Sequence, residues 1–141
     1  MEDLRPYLRD FVEPAIADFE CNPASVRHAF MACIVTFHAV DYLAHPRRPA
    51  LLRQEWNKQS RAFAIVDDVA HAFKHVKAGN PASPDLQAHE VVAMPGAFDA
   101  AAFDSAAFDV GSVSLENEPG ANMLAVVKEA AAFIRSQLDP P

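Results

Sequence analysis

The sequence predicts a mostly α protein: a helical bundle of four to five helices, with a small β-hairpin or irregular insertion before the C-terminal helix. Three observations predict it. Apolar residues recur at three- and four-residue spacing in four separate stretches. Two of those stretches carry histidines and aspartates at the same spacing: His38, Asp41 and His45 in one, Asp67, Asp68, His71 and His75 in the other. Between residues 80 and 120 the helical pattern lapses and turn residues take over. At 141 residues the chain reads as a single domain, 1–141, with 80–120 as an insertion in it.

The elements follow in order. Leu4, Leu8, Phe11, Ala15 and Phe19 mark a first amphipathic helix. Pro14 lies inside that pattern, removes a backbone donor and crowds the preceding turn, so a kink or two short helices are expected. Asn22-Pro23 reads as the next helix start, a capping side chain followed by a proline whose missing N–H is harmless in the first turn. That helix runs to about Ala44, and His45-Pro46 ends it. Its core stripe is Val26, Phe30, Cys33, Phe37, Val40 and Ala44, and Met31, Ile34 and Val35 widen the apolar surface. A helix so apolar is expected at the centre of its domain.

Pro46 to Pro49 reads as a basic turn, and Ala50 to Lys58 as a short helix containing Trp56. Ser60 is the expected cap of a longer helix reaching Lys77 and closed by Gly79. Its core stripe is Phe63, Val66, Val69, Ala70, Phe73 and Val76. Residues 79–85 are a loop by composition. Val91-Val92 reads as a short strand. Phe108, Val110, Val113 and Leu115 read as a second, with a bulge at Gly111. Residues 97–109 repeat Ala-Phe-Asp at a five-residue period. Three copies are too few for a self-supporting solenoid, so an irregular segment anchored by its phenylalanines is expected. Glu118-Pro119-Gly120 is turn chemistry. The last helix spans about Ala121 to Leu138, with Leu124, Val127, Ala131, Ile134 and Leu138 inward.

Composition narrows the function. A hydrophobic fraction of 51% argues against intrinsic disorder. The net charge of −7 disfavours nucleic acid and anionic lipid as partners, although Arg47, Arg48 and Arg53 lie close together in a local basic group. Cys21 and Cys33 fit neither a zinc spacing nor a redox motif, and a cytoplasmic protein with reduced thiols is expected. The first residues are acidic with no apolar run behind them, unlike a secretory signal. The stretch from Ala29 to Phe37 is far shorter than the roughly 20 residues that cross a bilayer. Only four glycines are present, and neither a phosphate-binding loop nor a GxSxG elbow.

The candidate polar cluster is His38, Asp41, Asp68, His71, Lys74 and His75. Spacings of three and four place His38, Asp41 and His45 on one face of their helix, and Asp67, His71 and His75 on one face of theirs. Facing helices with such residues can hold a metal, and His38, Asp41, Asp68 and His71 are the set whose register permits convergence. Two other readings stand beside this: a structural network pairing histidine with carboxylate, and a solvated face. On the longer helix Asp67, Asp68, His71, Lys74 and His75 lie opposite the core stripe, where solvent is the default. Lys74 among them is unwelcome to a cation.

His-Ala-Val-Asp-Tyr-Leu (38–43) with Asp-Val-Ala-His-Ala-Phe-Lys-His (68–75) resembles the motifs of uncharacterised bacterial proteins that pair an HxxDW helix with a DxANxxKH helix, and these resemble HEPN-like helical bundles. The resemblance covers residues 25–77. It implies that His38, Asp41, Asp68, Lys74 and His75 form a site or network between helices. Tyr42 stands at the tryptophan position and His71 at the asparagine position. The arginine that HEPN ribonucleases carry four to six residues before a histidine has no counterpart, which speaks against RNA cleavage.

The reading that follows is a non-catalytic binding domain with a His/Asp network between two helices and no cofactor, acting as a homodimer in which a second copy covers the apolar helix. The small-molecule ligand is left open. The alternative is an enzyme using His38, Asp41, Asp68 and His71, either with a divalent metal ion or by acid–base chemistry. An HEPN-like role on nucleic acid is a weaker alternative.

Overall fold

In the computed structural model the chain is a bundle of helices with a two-stranded hairpin ahead of the last one. The structure describes residues 4–75, 86–94, 111–116 and 121–138. The end of the fifth helix at Lys77 and Gly79, the loop at 79–85, the Ala-Phe-Asp repeats, Phe108, Val110 and the turn at 118–120 lie outside them.

The first helix takes a form the sequence did not announce. Helix α1 (Leu4–Tyr7) passes through a π-helical turn (Leu8–Val12) into α2 (Glu13–Cys21) without a break. The Glu13 N–H bonds to the Leu8 carbonyl, five residues back. The wider turn comes just before Pro14, whose ring would crowd a regular α-turn at that point. It also shifts the inward phase by one residue. Val12 and Ile16 enter the core, while Phe11, expected inside, is 56% exposed and stacks on Tyr7 at 5.4 Å.

Helix α3 (Val26–Ala44) starts three residues later than Asn22-Pro23 suggested. Ser25 is its cap, accepting from the His28 N–H. Asn22 instead closes α2, its side-chain amide donating to the Asp18 carbonyl at 2.9 Å. As expected, α3 is central: it packs on α1, α2, α4, α5, α6 and β1. Met31, however, stays half exposed.

Helix α4 (Ala50–Gln59) carries Trp56, whose ring meets Phe63 and Phe133 edge-on at 5.1 and 5.8 Å. Ser60 alone separates α4 from α5 (Arg61–His75) and caps it, accepting from the Phe63 N–H at 3.1 Å. Strand β1 (Val91–Met94) pairs antiparallel with β2 (Ser112–Leu115), Val91 facing Leu115 and Met94 facing Ser112. Asn122 caps α6 (Met123–Ser136) by accepting from the N–H groups of Leu124 and Ala125. Met123, Val127, Ala130, Ala131 and Ile134 seat α6 in the core. Its outer face is tied to α2 by Arg135 to Glu13 and Lys128 to Glu20.

The sharpest departure concerns α5. Of the readings open for its polar side, the solvated face does not hold at Asp67 and Asp68, which are buried, while Phe73 of the expected core stripe is 52% exposed. Between Ala62 and Ala72 the helix is enclosed by α3, α4 and α6; its last turn, Phe73 to His75, is exposed. Position along the axis decides burial here more than helical face. Among the described residues, no helix is long and apolar enough to cross a membrane.

Candidate functional site

The polar residues of α5 are organised around Asp67. Its carboxylate is fully buried. Arg53 and Asn57 stand one turn apart on α4 and converge on one oxygen: Arg53 Nε donates to Asp67 Oδ2 at 2.7 Å, and Asn57 Nδ2 to the same atom at 2.6 Å. A charged partner and a neutral donor together make this buried carboxylate tolerable. The other oxygen, Oδ1, has no well-aligned donor among the described residues. His71 Nδ1 stands 2.9 Å from it, but is directed at the Asp67 backbone carbonyl at 3.0 Å. Arg53, read with Arg47 and Arg48 as a basic surface group, is therefore turned inward. Its guanidinium also lies 5.5 Å from the centre of the Phe37 ring.

The candidate cluster included Asp68 and not Asp67, but it is Asp67, one turn before His71 on the same face, that stands beside the His71 ring. Asp68 is buried on another side of α5. A sequence signal for Asp67 existed: an arginine and an asparagine four residues apart on the preceding helix, with a linker too short to let that helix leave.

On α3, His38 Nδ1 lies 2.8 Å from Asp41 Oδ2, and both side chains are about half exposed. The two histidines share a neighbour. The Phe37 ring meets the His38 ring at 5.2 Å and the His71 ring at 5.1 Å, nearly perpendicular to the latter. Phe30 packs against Phe73 at 4.8 Å. As α3 advances from Phe30 to Phe37, its partner on α5 steps back from Phe73 to His71. Between the helices an open cleft of about 250 Å3 is lined by Ile34, Phe37, His38, Ala70, His71, Phe73 and Lys74.

Of the six cluster residues, the cleft gathers His38, His71 and Lys74, with Asp41 held behind His38. His75 lies outside it, exposed, its ring 6.2 Å from that of His71. Among the described residues, no three or more His, Cys, Asp or Glu side chains stand where they could share a metal ion. His38, Asp41, Asp68 and His71 are thus not brought together as a ligand set.

Beside His38 the surface is aromatic. Tyr42 stacks on Tyr7 at 4.0 Å, and Tyr7 continues to Phe11. The Tyr7 hydroxyl donates to the Val35 carbonyl at 2.7 Å. Burial, reinforced by Tyr42 and Asp41, holds that phenol well above its ordinary pKa. Cys33 is fully buried in α3, and burial pushes its thiol far above the range of a usable nucleophile.

In comparisons with protein-family models, with curated proteins and with solved structures, no significant match to this chain was found.

Proposed function

We propose that this chain is a non-catalytic binding domain whose recognition surface is the cleft between α3 and α5. The observation that carries the reading is the make-up of that cleft. Four of its lining residues, Ile34, Phe37, Ala70 and Phe73, are apolar; His38, His71 and Lys74 bring polar groups to the same opening. Apolar walls with a few convergent polar groups are how small-molecule sites are built. The Asp67 carboxylate behind it is occupied in holding α4 to α5, a scaffolding role. A fragment screen followed by NMR tests the reading: bound compounds shift the resonances of Ile34, Phe37, Ala70 and Phe73. A screen in which no compound perturbs them overturns it.

The proposal includes pairing with a second copy through the outer stripe of α3. Met31 and Tyr42 lie on that stripe, both exposed, and Tyr42 runs on into the stacked Tyr7 and exposed Phe11. Light scattering that shows only monomer at high micromolar concentration discards the pairing. The proposed location is the cytoplasm, which suits two free thiols, Cys21 and Cys33.

One observation favours a second reading, an acid–base enzyme. His38 and His71 each have Nδ1 against an aspartate, an arrangement that orients an imidazole for proton transfer. The carboxylates are Asp41 and Asp67. Turnover of model esters or phosphodiesters that survives both His38→Ala and His71→Ala removes this reading. An HEPN-like role rests on the motif resemblance alone; equal RNA degradation by wild type and His75→Ala discards it.

A further inference from the structure

We infer that the α3/α5 cleft takes a small carboxylate carried on a compact apolar body, such as a single ring or a short branched chain. The inference rests on the cleft being a binding surface, as proposed above, and adds the chemistry of its ligand.

Charge is the first argument. The chain carries a net charge of −7, yet among the described residues the polar side chains lining the cleft are His38, His71 and Lys74, none of them acidic. The carboxylates paired with the two histidines do not contradict this. Asp41 and Asp67 each stand against the Nδ1 side of a histidine. That leaves the opposite edge of each ring, Nε2, for something else. Nε2 donates to an anion when the imidazole is protonated. The Lys74 ammonium lines the same cleft.

Shape is the second. The walls are the Phe37 ring, fixed edge-on to both imidazoles, and the Phe73 ring, fixed against Phe30. They suit a flat or branched apolar body. At about 250 Å3 the cleft is smaller than the roughly 300–1,000 Å3 of drug-sized sites, which favours one ring over a fused or nucleotide-sized ligand. Two imidazole edges and one ammonium match the two oxygens of a carboxylate. A phosphate ester, with more charge and more acceptor oxygens, calls for more donors than these three side chains supply.

The test uses the full chain and three probes: benzoate, its neutral amide benzamide, and phenyl phosphate. Each is titrated at pH 6, where an ordinary histidine is largely protonated, with calorimetry for affinity and NMR of the His38 and His71 ring protons for location. Benzoate is expected to shift both rings and to bind about tenfold tighter than benzamide. Lys74 is exposed, so Lys74→Ala leaves the core intact; it is expected to weaken benzoate roughly three- to tenfold, with Lys74→Arg restoring most of the loss. His75→Ala, outside the cleft, leaves binding unchanged. Equal binding of benzoate and benzamide overturns the carboxylate while leaving the cleft a binding surface. Tighter binding of phenyl phosphate overturns the choice of head group. If no probe moves either ring, this inference fails; the broader reading falls only if the open fragment screen also misses the cleft.

Discussion

His71 with Asp67 and His38 with Asp41 are both histidine–aspartate pairs one helical turn apart, with N–O distances of 2.9 and 2.8 Å. Their surroundings differ completely. Asp67 is buried beneath α4 and held by Arg53 and Asn57, whereas Asp41 and His38 stand half in water with no third polar partner among the described residues. A histidine and an aspartate one turn apart therefore make a structural clamp in one place and a loose surface pair in the other. What separates them is whether another helix closes over the carboxylate. An ion pair in water is worth about 0–1 kcal/mol, while breaking a buried one by removing a single partner costs about 3–5 kcal/mol.

That contrast can be broken most directly at Arg53. Arg53→Met keeps much of the aliphatic stem that packs near Phe37 but removes the charge. It leaves the buried Asp67 carboxylate with Asn57 and His71 alone, and a loss of about 3–5 kcal/mol is expected in urea unfolding. A loss under about 1 kcal/mol would mean that water reaches Asp67, and the two pairs would then be alike. Asn57→Ala is expected to cost about 1.5–3 kcal/mol, because its amide is a neutral donor to a charged acceptor. His71→Ala comes next, at about 1–2 kcal/mol: it removes an imidazole that meets Phe37 edge-on and stands beside Asp67 Oδ1.

Much of the fold was readable because the helices that build the core carry their own signals. Periodicity located α3, α5 and α6, and Ser60 marked the start of α5 by its ability to accept from a free N–H. The Val91-Val92 pair located β1, and the spaced apolar residues Val113 and Leu115 the part of β2 that lies in the described residues. The failures share a cause: each needed knowledge of a neighbour. Phe11 is outside because a π turn ahead of Pro14 rotates the helix beneath it. Phe73 is exposed because it lies in the last turn of α5, beyond the enclosed stretch. Asp67 is buried because α4 covers a face that a helical wheel assigns to water. Periodicity reports which residues share a face, and says nothing of how many faces are covered.

The candidate site divides along the same line. His38, His71 and Lys74 could be named from sequence because motif spacing is local. Their convergence on one cleft, and the burial of Asp67 beside His71, depend on how α3, α4 and α5 pack. Arg53 entered the sequence reading only as part of a basic group, since charge alone does not show whether an arginine turns inward.

The smallest expected effect on stability is at the exposed pair, and it is the most informative for function. His38→Ala and Asp41→Ala are each expected to change stability by less than about 0.5 kcal/mol, and a double-mutant cycle between them to give a coupling of similar size. His71 cannot offer so clean a test, because its removal disturbs the clamp and the cleft together. His38 separates the two roles: it lines the cleft without supporting the core. If His38→Ala keeps its stability yet weakens benzoate binding, the exposed pair serves recognition while the buried one serves the scaffold. If it changes neither, His38 and Asp41 are an ordinary surface pair, and His71 and Lys74 alone supply the polar side of the cleft.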